Sequence, residues 1–111
     1  MYELTEEIEF LYHSTDLEYV ESIEQNGLKT DDNGLVYLSE KPMQYYDVCY
    51  RVTIPKQHNL VDWREMWYDQ DGKEIDMDHQ YDETNPYYVY MDTIPPQYLD
   101  RLSKEEIEKL L

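Results

Sequence analysis

The sequence predicts an α+β fold in a single domain spanning residues 1–111. Two observations carry this prediction. A chain of 111 residues is long enough for one domain and too short for two. Its apolar and turn-forming segments follow in the order strand, helix, several strands and a short C-terminal helix, an order typical of α+β proteins. With 41% hydrophobic and 14% aromatic residues, the chain has enough apolar surface to form a core.

The first predicted strand covers residues 9–13, a short apolar and aromatic run without a helical stripe. Residues 16–28 then predict a helix, since their apolar residues share one helical face. Asn26-Gly27 supplies the left-handed cap that ends this helix.

Three elements are predicted in the centre of the chain. Turn-forming residues precede a strand at 35–39, and Pro42 begins a helical segment over 42–46. A strand at 48–54 alternates in polarity, is rich in β-branched and aromatic residues, and ends at Pro55.

The remainder of the chain has a less regular pattern. Residues 62–67 fit a short strand or a helix, and residues 70–73 resemble a hairpin turn. A strand is predicted at 87–91 and a helical turn at 97–102. Ser103 then begins a capping box before the C-terminal helix.

The strongly negative net charge limits the kinds of molecule that this protein is expected to bind. The 26 Asp and Glu residues exceed the 9 Lys and Arg residues, for a net charge of −17. So acidic a surface repels phosphate backbones and anionic lipids, and we expect neither direct nucleic-acid binding nor membrane association. A basic protein, or a protein surface that normally holds DNA or RNA, is the favoured partner. With neither a long apolar run nor a secretory leader pattern in the sequence, we expect a cytoplasmic protein.

Neither a disulfide nor a metal site is predicted. Cys49 is the single cysteine, and we expect it in the core rather than as a nucleophile. The stretch from Asp69 to Gly72 resembles a calcium loop, but its register places Trp67 where an oxygen ligand is required. A solvated hairpin turn fits that stretch better.

His13, Ser14 and Thr15 close the first strand, where side chains and free backbone N–H groups meet at the edge of a sheet. Such groups can hold a ligand. The alternative is structural: Ser14 or Thr15 caps the helix, and His13 is a partly buried partner of a carbonyl.

Tyrosines form a second candidate feature, because phenol rings can stack on a planar ligand. Tyrosine in strands is also a common half-buried packing residue, and that alternative stays open. The candidates are Tyr45, Tyr46, Tyr87, Tyr88 and Tyr90.

Taken together, five segments resemble the ADP-ribosyltransferase-like superfamily, which includes the NAD-dependent RNA 2′-phosphotransferases. The segments are FLYHST, the helix ending in NGL, GLVYLSEKP, DVCYRVTIP and YYVYMDTIPPQYL. In that superfamily an H-[GS]-T element closes the first strand and a late strand runs into an IPP segment. The resemblance implies a small split antiparallel sheet, NAD as cofactor, and a small phage or bacterial member of the superfamily.

The resemblance also implies residue roles. His13 would bind the nicotinamide ribose, and Tyr37 would pack against the nicotinamide ring. The superfamily's glutamate stands at the start of the late strand, where this chain has Tyr87. Glu83, four residues earlier, is the candidate catalytic carboxylate if a loop carries it inward. The resemblance adds cofactor-binding positions at Ser14, Thr15, Ser39, Tyr46 and Tyr87.

Two functions of different classes follow. The first is an NAD-using ADP-ribosyltransferase that modifies a protein or a nucleic acid. The second is a non-catalytic acidic inhibitor that mimics nucleic acid, of phage or mobile-element origin. Five carboxylates around the predicted hairpin are its best candidates: Asp69, Asp71, Glu74, Asp76 and Asp78.

Overall fold

A computed structural model describes residues 6–67 and 84–111. In this part of the chain the fold is α+β, with one six-stranded antiparallel sheet and few short helices. The strands are β1 (Phe10–Thr15), β2 (Val36–Ser39), β3 (Val48–Thr53), β4 (Leu60–Asp62), β5 (Tyr87–Tyr90) and β6 (Leu99–Arg101). Their order in the sheet is β4-β5-β2-β1-β3-β6, which places β1 between β2 and β3.

Within the described residues, three α-helices accompany the sheet: α1 (Val20–Asn26), α2 (Trp63–Trp67) and α3 (Lys104–Leu110). Single 3₁₀ turns occur at Leu17–Tyr19, Gln57–Asn59 and Pro96–Tyr98. None of the helices in the described ranges is both long enough and apolar enough to cross a membrane.

The main core joins the sheet to α1. Leu11 of β1 faces Val52 of β3, and both are almost completely buried. Ile23 of α1 packs into the same cluster, together with Ile94. A smaller cluster of Leu35, Trp63 and Val89 lies on the β2–β5 side of the sheet.

The two neighbours of β1 pair with it very differently. Six residue pairs align β1 with β3, from Phe10 opposite Thr53 to Thr15 opposite Val48. With β2 the register has a single pair, Tyr12 opposite Ser39. Beyond that pair the backbone ladder between β1 and β2 stops, and a cleft opens between the strands.

The predicted cap of the first helix is confirmed. Gly27 adopts a φ of 79°, in the left-handed region, and its N–H donates to the Ile23 carbonyl at 2.8 Å. The next residue, Leu28, exchanges two backbone hydrogen bonds with Ile94, each 2.9 Å long. These bonds fix the end of α1 to the chain that leaves β5.

The helical segment predicted at 42–46 is wrong. Side chains take the backbone groups that a helix would use: the Met43 N–H donates to the distant Ser14 hydroxyl, and the Ser39 hydroxyl donates locally to the Lys41 carbonyl. The Lys41 backbone also exchanges two bonds with the Asn85 side chain. The segment is therefore held as a loop.

The later predictions are met in part. The alternatives at 62–67 resolve into the end of β4 followed by α2, with the Asp62 carboxylate accepting the Arg64 N–H at 2.9 Å. The helical turn predicted at 97–102 is confirmed only over Pro96–Tyr98, because the following residues form β6 on the edge of β3. The Ser103 capping box is present.

Candidate functional site

A cleft of about 500 Å³ opens where β1 and β2 separate. This volume lies in the range of small-molecule sites, and the walls are mainly aromatic. We call it the aromatic cleft. It is lined by Tyr12, His13, Ser14, Tyr37, Leu38, Ser39, Met43, Tyr46, Trp63 and Tyr87.

His13 joins the two strands at the mouth of the split. Its Nδ1 lies 2.9 Å from the Tyr37 carbonyl oxygen. Because a carbonyl can only accept, Nδ1 carries the proton, and in the neutral ring Nε2 is left as an acceptor. Burial lowers the pKa of His13, and the bond to the Tyr37 carbonyl opposes this only in part. The imidazole is therefore neutral near pH 7.

Tyr37 stands on β2 with 39% of its surface exposed. Burial is the main cause that raises the pKa of its phenol, and the negative charge of the nearby Asp31 carboxylate raises it further. The same carboxylate accepts the N–H groups of Asn33 and Leu35 at 2.9 and 3.1 Å. These two bonds hold the Asp31 carboxylate in the turn before β2.

The two serines of the aromatic cleft are bound to the backbone. The Ser14 hydroxyl accepts the Met43 N–H at 2.9 Å, and the buried Ser39 hydroxyl donates to the Lys41 carbonyl at 2.6 Å. The helix-capping alternative for Ser14 is wrong, because Asp16 is the N-cap residue and no side chain caps that turn. The alternative that His13 is the partner of a carbonyl is confirmed by its bond to the Tyr37 carbonyl. The ring also lines the aromatic cleft.

The candidate tyrosines separate into different environments. Tyr46 and Tyr87 line the aromatic cleft, where the Tyr87 ring packs edge-on against Trp63 with centroids 6.2 Å apart. Tyr90 is buried in the core, so the packing alternative is confirmed for it. Tyr45 is 91% exposed and lies outside the aromatic cleft.

A second pocket of about 310 Å³ adjoins the aromatic cleft and shares His13 and Tyr37 with it. Thr15 lies here, almost completely buried, rather than in the aromatic cleft. The other side of this second pocket is formed by the first helical segment and the loop after it. Its further polar residues are Tyr19, Ser22, Lys29 and Asp31.

Sequence reasoning missed Asp31, Trp63 and Lys29 as site residues. In the sequence Asp31 indicates only a turn, because an Asp carboxylate that accepts the N–H two residues later is a common feature of turns. Its contact with Tyr37 depends on how the turn folds back on β2. Trp63 lines the aromatic cleft because α2 follows β4 directly. The pattern of polar and apolar residues at 62–67 left a strand and a helix equally open, so it did not place this side chain.

Cys49 is buried, as predicted, and burial raises the pKa of its thiol to about 11. A thiol with so high a pKa is protonated at neutral pH and is a poor nucleophile. Within residues 6–67 and 84–111, no three His, Cys, Asp or Glu side chains are grouped to hold a metal ion.

The fold therefore brings six of the eight candidate residues to the aromatic cleft: His13, Ser14, Tyr37, Ser39, Tyr46 and Tyr87. Thr15 reaches the adjoining second pocket, while Glu83 and the predicted hairpin at 70–73 lie outside the described residues. The resemblance to ADP-ribosyltransferases stays a prediction. No family model, curated protein or solved structure matches this chain.

Proposed function

We propose that this chain binds NAD in the aromatic cleft, with the nicotinamide ring among the aromatic side chains and its ribose beside His13. The observation that carries the proposal is the convergence of His13 and Tyr37 at the point where β1 and β2 separate. A neutral imidazole and a tyrosine ring there offer an acceptor and a planar surface to one ligand.

The chemistry of these walls suits a planar heterocycle joined to a sugar. Stacking of a base on an aromatic side chain contributes roughly 1–3 kcal/mol. The Nε2 acceptor of His13 can receive a ribose hydroxyl, because Nδ1 is already committed to the Tyr37 carbonyl.

The activity proposed on this binding is ADP-ribosyl transfer. The bond between nicotinamide nitrogen and ribose C1′ breaks, and nicotinamide leaves with the electron pair. An acceptor nucleophile forms a bond to C1′ and its proton passes to solvent. A carboxylate stabilises the developing oxocarbenium charge, and Glu83 is the residue proposed for that role.

Calorimetry with NAD at millimolar concentration tests the binding proposal. We expect measurable heat from the unaltered chain and none from Tyr37→Ala, because this variant lacks the ring on which the nicotinamide would stack. Tyr45→Ala is the matched control, since that exposed tyrosine lies outside the aromatic cleft. Equal binding by Tyr37→Ala, or no binding by the unaltered chain, would overturn the proposal.

Release of free nicotinamide tests the transfer proposal separately. Glu83→Gln should abolish the release while leaving the heat of NAD binding in place, because it removes charge and keeps size. The neighbouring Asp82→Asn variant should keep the release rate. Unchanged turnover in Glu83→Gln would exclude Glu83 from the reaction.

The net charge of −17 supports a second candidate, a binding protein that recruits a basic partner by long-range attraction. A pull-down from host lysate at low and high salt tests it. We expect a partner that high salt releases, since the Debye length is ~10 Å at 0.1 M salt. A variant with Asn or Gln replacing the carboxylates of the predicted hairpin should lose that partner, and equal recovery would reject these residues as the interface.

A further inference from the structure

We propose that Asn85 is a positioning residue for the aromatic cleft, and that its carboxamide holds the loop at 40–46 where a ligand can meet it. The inference rests on the proposed function. Asn85 borders a separate cavity of about 370 Å³ and does not line the aromatic cleft. Any effect that it has on a bound ligand therefore passes through the residues that it holds in place.

The Asn85 carboxamide uses both of its ends on one residue of the loop. Its oxygen accepts the Lys41 N–H at 2.8 Å, and its nitrogen donates to the Lys41 carbonyl at 3.1 Å. Beside this clamp, the Glu40 N–H donates to the Pro86 carbonyl at 2.9 Å. These bonds join the start of the loop to the chain that enters β5.

The clamp connects two segments that form walls of the aromatic cleft. Tyr87, two residues after Asn85, is the first residue of β5 and lines the cleft from the sheet. Met43 and Tyr46 line it from the loop. Because Asn85 joins the segments that carry these side chains, it helps to fix the space between them.

Hydrogen bonds, more than burial, hold the loop in place. Within 40–46, where every residue is described, only Pro42 is buried, and Tyr46 is 41% exposed. The other tethers come from the serine hydroxyls of β1 and β2. Without the Asn85 clamp the loop should occupy its binding position for a smaller fraction of the time, and the apparent affinity for a ligand falls by that fraction.

Another carboxamide clamp of the same form lies away from the cleft. Gln57 accepts the Ile8 N–H at 3.0 Å and donates to the Ile8 carbonyl at 2.6 Å. Neither residue lines the aromatic cleft or the second pocket. These bonds are less exposed than those of Asn85, so their loss should lower the folding stability at least as much. Gln57→Ala is therefore the matched control for Asn85→Ala.

Calorimetry with NAD tests the proposal, with urea unfolding to establish that each variant folds. Asn85→Ala should weaken NAD binding about five- to tenfold, whereas Gln57→Ala should bind as tightly as the unaltered chain. Asn85→Asp keeps the size of the side chain but sets a carboxylate oxygen against the Lys41 carbonyl, so it should also bind more weakly. In NMR spectra without ligand, Asn85→Ala should shift the methyl signal of Met43, and Gln57→Ala should leave it in place.

The outcomes separate this inference from the proposed function. Full NAD affinity in Asn85→Ala or Asn85→Asp, or an unmoved Met43 signal in Asn85→Ala, would overturn the inference while NAD binding stands. An equal loss of affinity in Gln57→Ala would also overturn it, because general destabilisation would then explain the effect. If the unaltered chain binds no NAD, the proposed function fails and the inference fails with it.

Discussion

The two sides of β1 are held differently. We call the side toward β3 the closed flank and the side toward β2 the open flank. On the β3 side, six aligned pairs form a continuous ladder over buried apolar side chains. On the β2 side the ladder has one pair, and side chains take over the bonding: His13 donates to the Tyr37 carbonyl, and Ser14 accepts from the loop after β2. The same strand thus provides a rigid support on one side and an open site on the other.

This difference has a physical basis in where free backbone groups can be tolerated. Where a ladder stops, the backbone groups that it would have paired need another partner, either a side chain or water. His13 satisfies the Tyr37 carbonyl at the point where the strands separate. The residue that stabilises the split is therefore also the residue that faces the ligand cavity.

The largest expected effect comes from breaking the closed flank. Leu11→Ala should lower the free energy of unfolding by about 2–5 kcal/mol, because it leaves a cavity against Val52. Ser14→Ala, on the open flank, should cost about 0.5–1.5 kcal/mol for one lost hydrogen bond. Urea unfolding measures both values. Equal losses would contradict the contrast between the flanks.

A smaller effect is expected where α1 is fixed to the sheet. Gly27 and Gly34 both have positive φ, at 79° and 78°, so Ala is strained at either site. The ψ of −169° at Gly27 adds to this, because that region is almost restricted to glycine and strain there costs about 1–3 kcal/mol. At Gly27 the added carbon also meets the Ile94 carbonyl, whereas Gly34 faces open space. Gly27→Ala should therefore be the more destabilising by about 1–3 kcal/mol in thermal or urea unfolding. A Gly34→Ala loss as large as that of Gly27→Ala would refute the close packing.

The open flank should also carry a pH dependence. Because the pKa of His13 is lowered in the folded protein, the unfolded chain takes up the proton first as pH falls. Its contribution to stability is complete above the ordinary imidazole value of 6.5 and is lost as pH falls from there toward the folded pKa. His13→Gln should flatten the fall in melting temperature between about pH 7.5 and about pH 5.5. His58→Gln is the control, and an identical flattening in it would remove the assignment to His13.

The smallest effect concerns the phenol of Tyr37. Asp31→Asn keeps an oxygen for the backbone N–H groups of the turn but removes the negative charge, so the pKa of Tyr37 should fall toward 10.0. Burial, the larger cause, remains and should keep the value above that level. NMR titration of labelled tyrosine, with Tyr37→Phe to assign the signal, measures the change. Asp32→Asn should leave the signal unchanged.

Local sequence patterns predicted most of the fold because each strand is short and well bounded. The run before Pro55 and the cap at Gly27 were decided by residues adjacent in sequence. The loop at 42–46 and strand β6 were not, since the bonds that form them come from distant segments, such as Ser14 and β3. Trp63 was missed at the site for the same reason, because its ring contact is with the distant Tyr87.

NMR chemical-shift mapping with NAD tests the central claim most directly. In a labelled chain, NAD should shift the signals of His13 and Tyr37 on the open flank and leave those of Arg51 and Arg101, on the β3–β6 side, in place. Nicotinamide riboside should shift His13 and Tyr37 as well. No shifts at millimolar NAD, or shifts confined to the β3–β6 side, would contradict the claim that the β1–β2 split is the binding site.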